Sequence, residues 1–233
     1  MSVRPANAQS YNPNFAVDTA ANHVHGHGWP GGVPVTLTID DPSTGASPDY
    51  ADTQTSVAEG EDTVVRFWPG EVFEIQPGHL VTLSDGSLIK QHTVTSLSVT
   101  GFNGYQDRIW GMAKPGTLVV IKLRWDMSII RYETAGATGN WLADFSIAGD
   151  EPGEDKLYDF DVDTWLMVYQ EDNDGDRTQI DWRMPFPDFQ VRLTQNIIEA
   201  HKFPMSYLVT LSIDDPATGA GPDFSTSVDP EPC

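Results

Sequence analysis

The chain has 233 residues, 34 acidic against 13 basic side chains and a formal net charge of −21. That charge argues against nucleic acid and anionic membrane surfaces as partners, favours cations, and suits a salty or extracellular setting. One cysteine, Cys233, rules out an internal disulfide, and no apolar run approaches the roughly 18 residues that a membrane-spanning helix needs, so no membrane insertion is expected.

Residues 1–10 read as a flexible N-terminal segment. Ala6-Asn7-Ala8 has the small-x-small form of a signal-peptidase site, without the apolar stretch that should precede it. From there the apolar residues alternate with period two between frequent Gly and Pro, the pattern of half-buried strands, and helical periodicity is almost absent. Residues 11–97 are expected to form a first β domain of no assigned family.

Within that domain, His23-Val24-His25-Gly26-His27 places three of the six histidines, together with Trp29, on one strand face. Two adjacent imidazoles could chelate a transition metal, with a bend at Gly26 or a remote His79, His92 or carboxylate completing the set. Zinc with an open position would activate water for hydrolysis. The competing reading is a polar face that happens to be rich in histidine. Further on, Ile39-Asp40-Asp41-Pro42 reads as a turn held by Asx bonds, with a weak cation site as the alternative. Ser84-Asp85-Gly86-Ser87 marks a hairpin between Val81–Leu83 and Leu88–Val94. Trp29, Trp68 and Trp110 lie beside Pro or Gly and are either core residues or a sugar-stacking platform.

Residues 98–183 are expected to form a second β domain. Val119, Ile121, Leu123 and Trp125 should share one strand face, with Lys122 and Arg124 on the other. In Trp110-Gly111-Met112-Ala113-Lys114-Pro115-Gly116-Thr117 and Ala137-Thr138-Gly139-Asn140-Trp141, the residues Gly111, Ala113, Pro115, Gly116, Gly139, Asn140 and Trp141 make a G-x-A-x-P-G turn and a later G-N-W. This resembles the bacterial Ig-like domains found in tandem on surface proteins and adhesins. The resemblance implies an Ig-like β-sandwich and an extracellular stalk or adhesive role. Beyond it, Asp172, Asp174 and Asp176 alternate in an Asp-Gly-containing loop. Their oxygens could converge on calcium, or the loop could be a plain hairpin turn between Trp165–Tyr169 and Gln179–Trp182.

Residues 184–233 begin the first domain again. Phe15–Tyr50 aligns with Phe189–Phe224 without a gap at an offset of 174 residues, with 17 of 36 positions identical. Self-similarity at a fixed period is the signature of an array. The second copy carries Ile197, Glu199 and His201 where the first has His23, His25 and His27, and its Gln195–Phe203 stretch should be a strand despite local helical character. Ser225–Cys233 reads as a flexible polar tail.

These observations lead to an all-β chain of Ig-like β-sandwich domains in tandem, secreted or on the cell surface, with a structural or adhesive role and candidate calcium ligands at Asp172, Asp174 and Asp176. The alternatives are a zinc-dependent hydrolase using His23, His25 and His27, and a carbohydrate-binding module. No H-E-x-x-H, G-x-S-x-G or P-loop is present, so the balance leans away from an enzyme. Expected partners are a surface glycan or protein ligand, or a second copy pairing through the partial repeat.

Overall fold

The computed structural model describes residues 12–229 apart from 46, 71, 186, 202, 204–207 and 220. The segment 1–10 with its small-x-small site, and Cys233, lie outside the described residues. Every regular element among the described residues is a β-strand, so the chain is all-β.

Residues 12–160 and 164–182 form one compact unit. Its first lobe contains β1 (Asn14–Asp18), β2 (His23–His27), β3 (Pro34–Asp40), β4 (Tyr50–Thr55), β5 (Val57–Glu59), β6 (Asp62–Phe67), β7 (Leu80–Ser84) and β8 (Ile89–Thr93). The second lobe contains β9 (Leu97–Asn103), β10 (Arg108–Ala113), β11 (Leu118–Leu123), β12 (Ile130–Thr134), β13 (Asn140–Asp144), β14 (Trp165–Glu171) and β15 (Arg177–Arg183).

One eight-stranded sheet, ordered β12-β11-β14-β15-β1-β2-β6-β5, runs through both lobes. The join is a parallel pairing of β1 with β15, which sets Ala16 opposite Arg177 and Asp18 opposite Gln179. A four-stranded sheet, β4-β3-β7-β8, covers the first half and a three-stranded sheet, β13-β10-β9, belongs to the second. Alternation decides what meets in the first lobe: Phe15, Val17, Val24, Val65 and Phe67 pack against Val35, Leu37, Ile39, Val81 and Leu83. In the second lobe Ile109, Trp141 and Ala143 are buried on one sheet, and Val119, Ile121, Leu166 and Val168 on the other. The architecture is that of packed sandwiches.

Several local expectations are realised. β7 and β8 form the Asp-Gly hairpin, with Gly86 at φ 87° and Asp85 Oδ1 accepting bonds from the amides of Ser87 and Leu88. Gly116 and Gly139 adopt positive φ, as tight turns require. Gly111 permits a close approach, because a Cβ there would lie 1.8 Å from Ser98 O and 2.6 Å from the Trp141 ring. Trp125 departs from expectation. β11 ends at Leu123, so Trp125 sits in the following turn, 70% exposed, rather than on the buried face of Val119 and Ile121.

Residues 161–163 and 183–229 belong to a second unit containing β16 (Asp188–Arg192), β17 (Ile197–His201), β18 (Val209–Ile213) and β19 (Phe224–Val228). Its hairpins copy β1–β4 in register. Asn14 opposite His27 becomes Asp188 opposite His201, and Ile39 opposite Tyr50 becomes Ile213 opposite Phe224. β17 bears out the strand reading of Gln195–Phe203. β19 takes up Ser225–Val228 of the polar tail, because those residues find cross-strand hydroxyl partners, as in Thr210–Ser227. Phe189, Val191, Leu211, Ile213 and Phe224, whose counterparts are wholly or partly buried in the first lobe, border a groove of about 890 Å³.

Candidate functional site

β2 presents His23, His25 and His27 on the same face of the eight-stranded sheet, as the alternation requires. Their rings follow one another at 5.2 Å between centroids. They do not share a centre. His23 stacks on the exposed Trp68 ring at 3.8 Å, and His27 Nδ1 lies 2.7 Å from Asp62 Oδ2. Burial pushes His23 down to about 4, helped by the charge of Arg66. Burial and then the neighbouring His27, His23, Arg177 and Arg124 push His25 down to about 3. These imidazoles are therefore neutral at pH 7, and His23 Nε2 and His25 Nδ1 are buried without a hydrogen-bond partner.

Gly26 does not bend the strand toward a metal. It points into the core, where a Cβ would meet Trp29 Nε1 at 2.6 Å and Leu83 at 3.0 Å. The second copy carries Ala200 with Phe203 in place of Gly26 with Trp29, so a Cβ appears where the ring is smaller. The remote candidates are engaged elsewhere. His79 Nδ1 accepts the amide of Gln76, and His92 lies in the other candidate site.

That second site is the loop between β14 and β15. Among the described residues, Asp172, Asp174 and Asp176 are the one group of three His, Cys, Asp or Glu side chains whose ligand atoms all lie within 4.8 Å of one another. The loop is built by its own backbone: the amides of Asp174 and Asp176 donate to Asp172 Oδ1, and Gly175 takes φ 89°. The first lobe inserts into it. Lys90 Nζ on β8 donates to Asp174 Oδ2 at 2.6 Å and to the Asp174 carbonyl at 2.8 Å, and lies 3.4 Å from Asp176 Oδ2. His92, two residues along and hence on the same face, bonds Asp172 Oδ2 at 2.7 Å and Thr178 Oγ1 at 2.9 Å. The amide of Phe15 on β1 donates to Asp176 Oδ1 at 2.9 Å.

The electrostatics follow from enclosure. Asp176 is fully buried, and desolvation pushes it up to about 7 in spite of Phe15 and Lys90. Exposed Asp174 is held low by its bonds to Asp172 and Lys90. Desolvation works against the Lys90 ammonium, yet the two carboxylates outweigh it and raise its pKa. As a test of fit for calcium, most of the donor set is already used, and Asp176 Oδ2 is the buried oxygen left without a hydrogen-bond partner, 3.4 Å from the Lys90 ammonium. The Asp172 oxygens accept two amides and His92, and the Asp174 and Asp176 oxygens facing the centre are held by an ammonium. A divalent ion would have to displace Lys90. Lys90 was missed at the sequence level, although its period-two relation to His92 on a hairpin strand was visible.

The Asp-Pro turn is a structural device. Asp49 Oδ2 accepts the Asp41 amide at 2.8 Å and Oδ1 accepts Thr44 Oγ1 at 2.6 Å. The copy repeats this with Asp223, Asp215 and Thr218. Of the three loop tryptophans, Trp29 is wholly buried, Trp110 is half-buried against Gly101, and Trp68 is exposed against His23.

Comparison with protein families returns no match, and comparison with curated proteins returns none. Among solved structures, the tetra-tandem repeat in the extending region of a large adhesion protein matches over 94% of this chain and 63% of that chain. The identity is 12% and the TM-score 0.24. The chain thus spans less than two thirds of that structure, and so low a score carries no argument about fold or role. Architecture here rests on the strand pairing itself.

Proposed function

We propose that the chain is a β-sandwich module of a tandem array, secreted or on the cell surface, with a spacer or adhesive role. One observation supports this reading above the rest: 174 residues after β1–β4, the chain builds the same two hairpins in the same registers, with the same Asp-Thr turn. Stacked or strung repeats are the setting in which such duplication arises. The pairing of β1 with β15 supports it too, since the first period carries the strand that covers its own first edge. A strongly negative surface keeps modules soluble and apart. Within this reading the Asp172–Asp176 loop is a cation site whose resident cation is Lys90, with calcium as a competitor for the same oxygens.

Small-angle scattering on arrays of one, two and four complete modules tests the spacer role, since the maximum dimension should rise in equal steps. A compact particle whose dimension does not scale with module number would refute it. Antibody labelling of intact cells tests the location. A signal that appears only after lysis would overturn the surface assignment.

A further inference from the structure

The face of the eight-stranded sheet opposite the sandwich core carries a small buried cluster of its own, Val120, Ile130, Met167 and Tyr169, and the side chains that roof its centre are cationic in a chain of net charge −21. Arg124 Nη1 lies 3.6 Å and Arg177 Nη2 lies 3.8 Å from the same atom, Met167 Sδ. Two guanidinium groups therefore converge on one thioether. Both side chains are half-buried. Among the described residues neither has a carboxylate within 4.0 Å, in contrast with Arg66, Arg108 and Arg192, which pair with Glu59, Asp144 and Glu199. Beyond the sulfur, and among the described residues, the guanidinium of Arg177 donates only to Gln179 Oε1, at 3.0 Å. Enclosed charge is ordinarily paired and fully hydrogen-bonded, and five N–H donors on each group leave most of that capacity unused.

The surroundings add detail. Arg124 lies over the Trp165 ring at 5.4 Å and Arg177 over the Tyr169 ring at 4.9 Å, with Lys122 5.5 Å from that ring on the side of β11. Trp125 meets Trp165 edge-on at 5.0 Å and leaves most of its own surface to solvent. Across Ala16, which pairs with both Arg177 and His25, lies the buried and unpartnered His25 Nδ1. The acids nearest this centre, Glu171 and Asp181, act on Arg177 only at longer range.

We infer that this face binds a carboxylate-bearing sugar residue at the end of a glycan. The carboxylate takes the two guanidinium forks, and the sugar ring lies on Trp125. Paired arginines match a planar carboxylate through parallel N–H···O bonds, and an exposed indole face suits the C–H face of a pyranose. A single terminal charge fits better than a polyanion, because the acidic remainder of the surface repels long negative chains.

The test uses the full chain at low salt, with methyl glucuronide, methyl glucoside and sodium acetate as probes and binding read by tryptophan fluorescence and by ligand-observed NMR. Methyl glucuronide should bind saturably with an affinity of about 1 mM, and methyl glucoside should not. Arg124→Gln should weaken glucuronide at least roughly tenfold, the loss expected for charge-assisted bonds. Trp125→Ala should remove the advantage of glucuronide over acetate, and the exposed Lys114→Gln should change nothing. Circular dichroism of each variant separates lost binding from lost folding. Arg124 and Trp125 are tested rather than the more enclosed Arg177 for that reason. The inference fails if glucoside or acetate binds as well as glucuronide, if folded Arg124→Gln binds as the parent does, or if glucuronide does not bind.

Discussion

Replacing Lys90 by methionine keeps most of the apolar stem and removes the ammonium from the Asp172–Asp176 loop. Three contacts are lost, two to exposed Asp174, at its carboxylate (2.6 Å) and its carbonyl (2.8 Å), and one to fully buried Asp176 at 3.4 Å. At pH 5 Asp176, with its pKa near 7, is protonated in both proteins, so the variant loses only the half-exposed Asp174 contacts, about 1 kcal/mol. At pH 8.5 the parent ionises Asp176 beside the ammonium. The variant cannot do so cheaply and stays protonated, at about 1.4 kcal/mol for each pH unit by which its pKa exceeds the parent's. A rise of one to two units brings the total loss to about 3 kcal/mol, the lower end for breaking a buried ion pair. For a unit of this size that is a fall in Tm of about 6–12 °C at pH 8.5 against about 2–4 °C at pH 5. Urea titrations followed by tryptophan fluorescence at both pH values measure the difference directly. Equal losses at the two pH values, or a smaller one at pH 8.5, would refute the assignment of Lys90 as the resident cation. Millimolar calcium should then stabilise K90M and leave the parent nearly unchanged, because in the parent the Lys90 ammonium already stands between the Asp174 and Asp176 carboxylates. A parent that responds as strongly as the variant would count equally against it.

Further predictions concern titration, close approach and turns. His23 and His25 have folded pKa values of about 4 and about 3, below the unfolded 6.5, so the unfolded chain binds more protons in between. Their contribution is intact above pH 6.5 and is lost as pH falls through that window. His25→Gln should reduce the stability lost between pH 6.5 and 5 by about 1–2 kcal/mol, as read by denaturant titration at each pH. Glu133 is displaced the other way, to about 7, by burial and then by Glu154. Its contribution is present below the unfolded pKa of 4.5 and is lost as pH rises through 7, so Glu133→Gln should gain stability at pH 8 relative to pH 5. Gly111→Ala should cost more than about 3 kcal/mol, because its Cβ collides with backbone. Gly45→Ala, with nothing within 4 Å, should be close to neutral in the same thermal assay. Asp49→Ala should cost about 1–2 kcal/mol through the two lost turn bonds.

What could be read from the sequence was local. Period-two alternation and Asp-Gly or Pro-Gly turns located β7, β8, β11, β14 and β15, since each signal lies within a few residues of its consequence. The pairing of β1 with β15 could not be read that way. Phe15 and Asp176 are 161 residues apart, and nothing in either segment names the other. A separation of 84 residues likewise hid Lys90 as the partner of the aspartate loop, although the loop itself stood out by its spacing. The histidine face was legible as a face, but whether its nitrogens converge depends on Trp68, Asp62 and the core position of Gly26. Arg124, expected on the polar side of β11, follows the strand's last residue, Leu123, and keeps the side opposite the core. That this side is half-buried, beside Met167 and Tyr169, depends on β14 and β15 and leaves no mark on β11.

The duplicated hairpins separate what local sequence determines from what the whole module must supply. β16–β17 and β18–β19 reach the registers of β1–β4, and among the described residues they pair only with each other within each hairpin. Register in these strands therefore resides in their turns and alternation, with the Asp-Thr turn fixing β3–β4 and its copy. The sandwich core does not reside there. In the first lobe Phe15, Val35 and Leu37 are wholly buried because β6 and β7 cover them, whereas Phe189, Val209 and Leu211 keep surface exposed or half-exposed. β1 gains its second neighbour only when β15 arrives, and that strand also carries Thr178, to which His92 bonds. Closing the module thus requires contacts across nearly its whole length, which slows folding. A chain of such modules would unfold one module at a time.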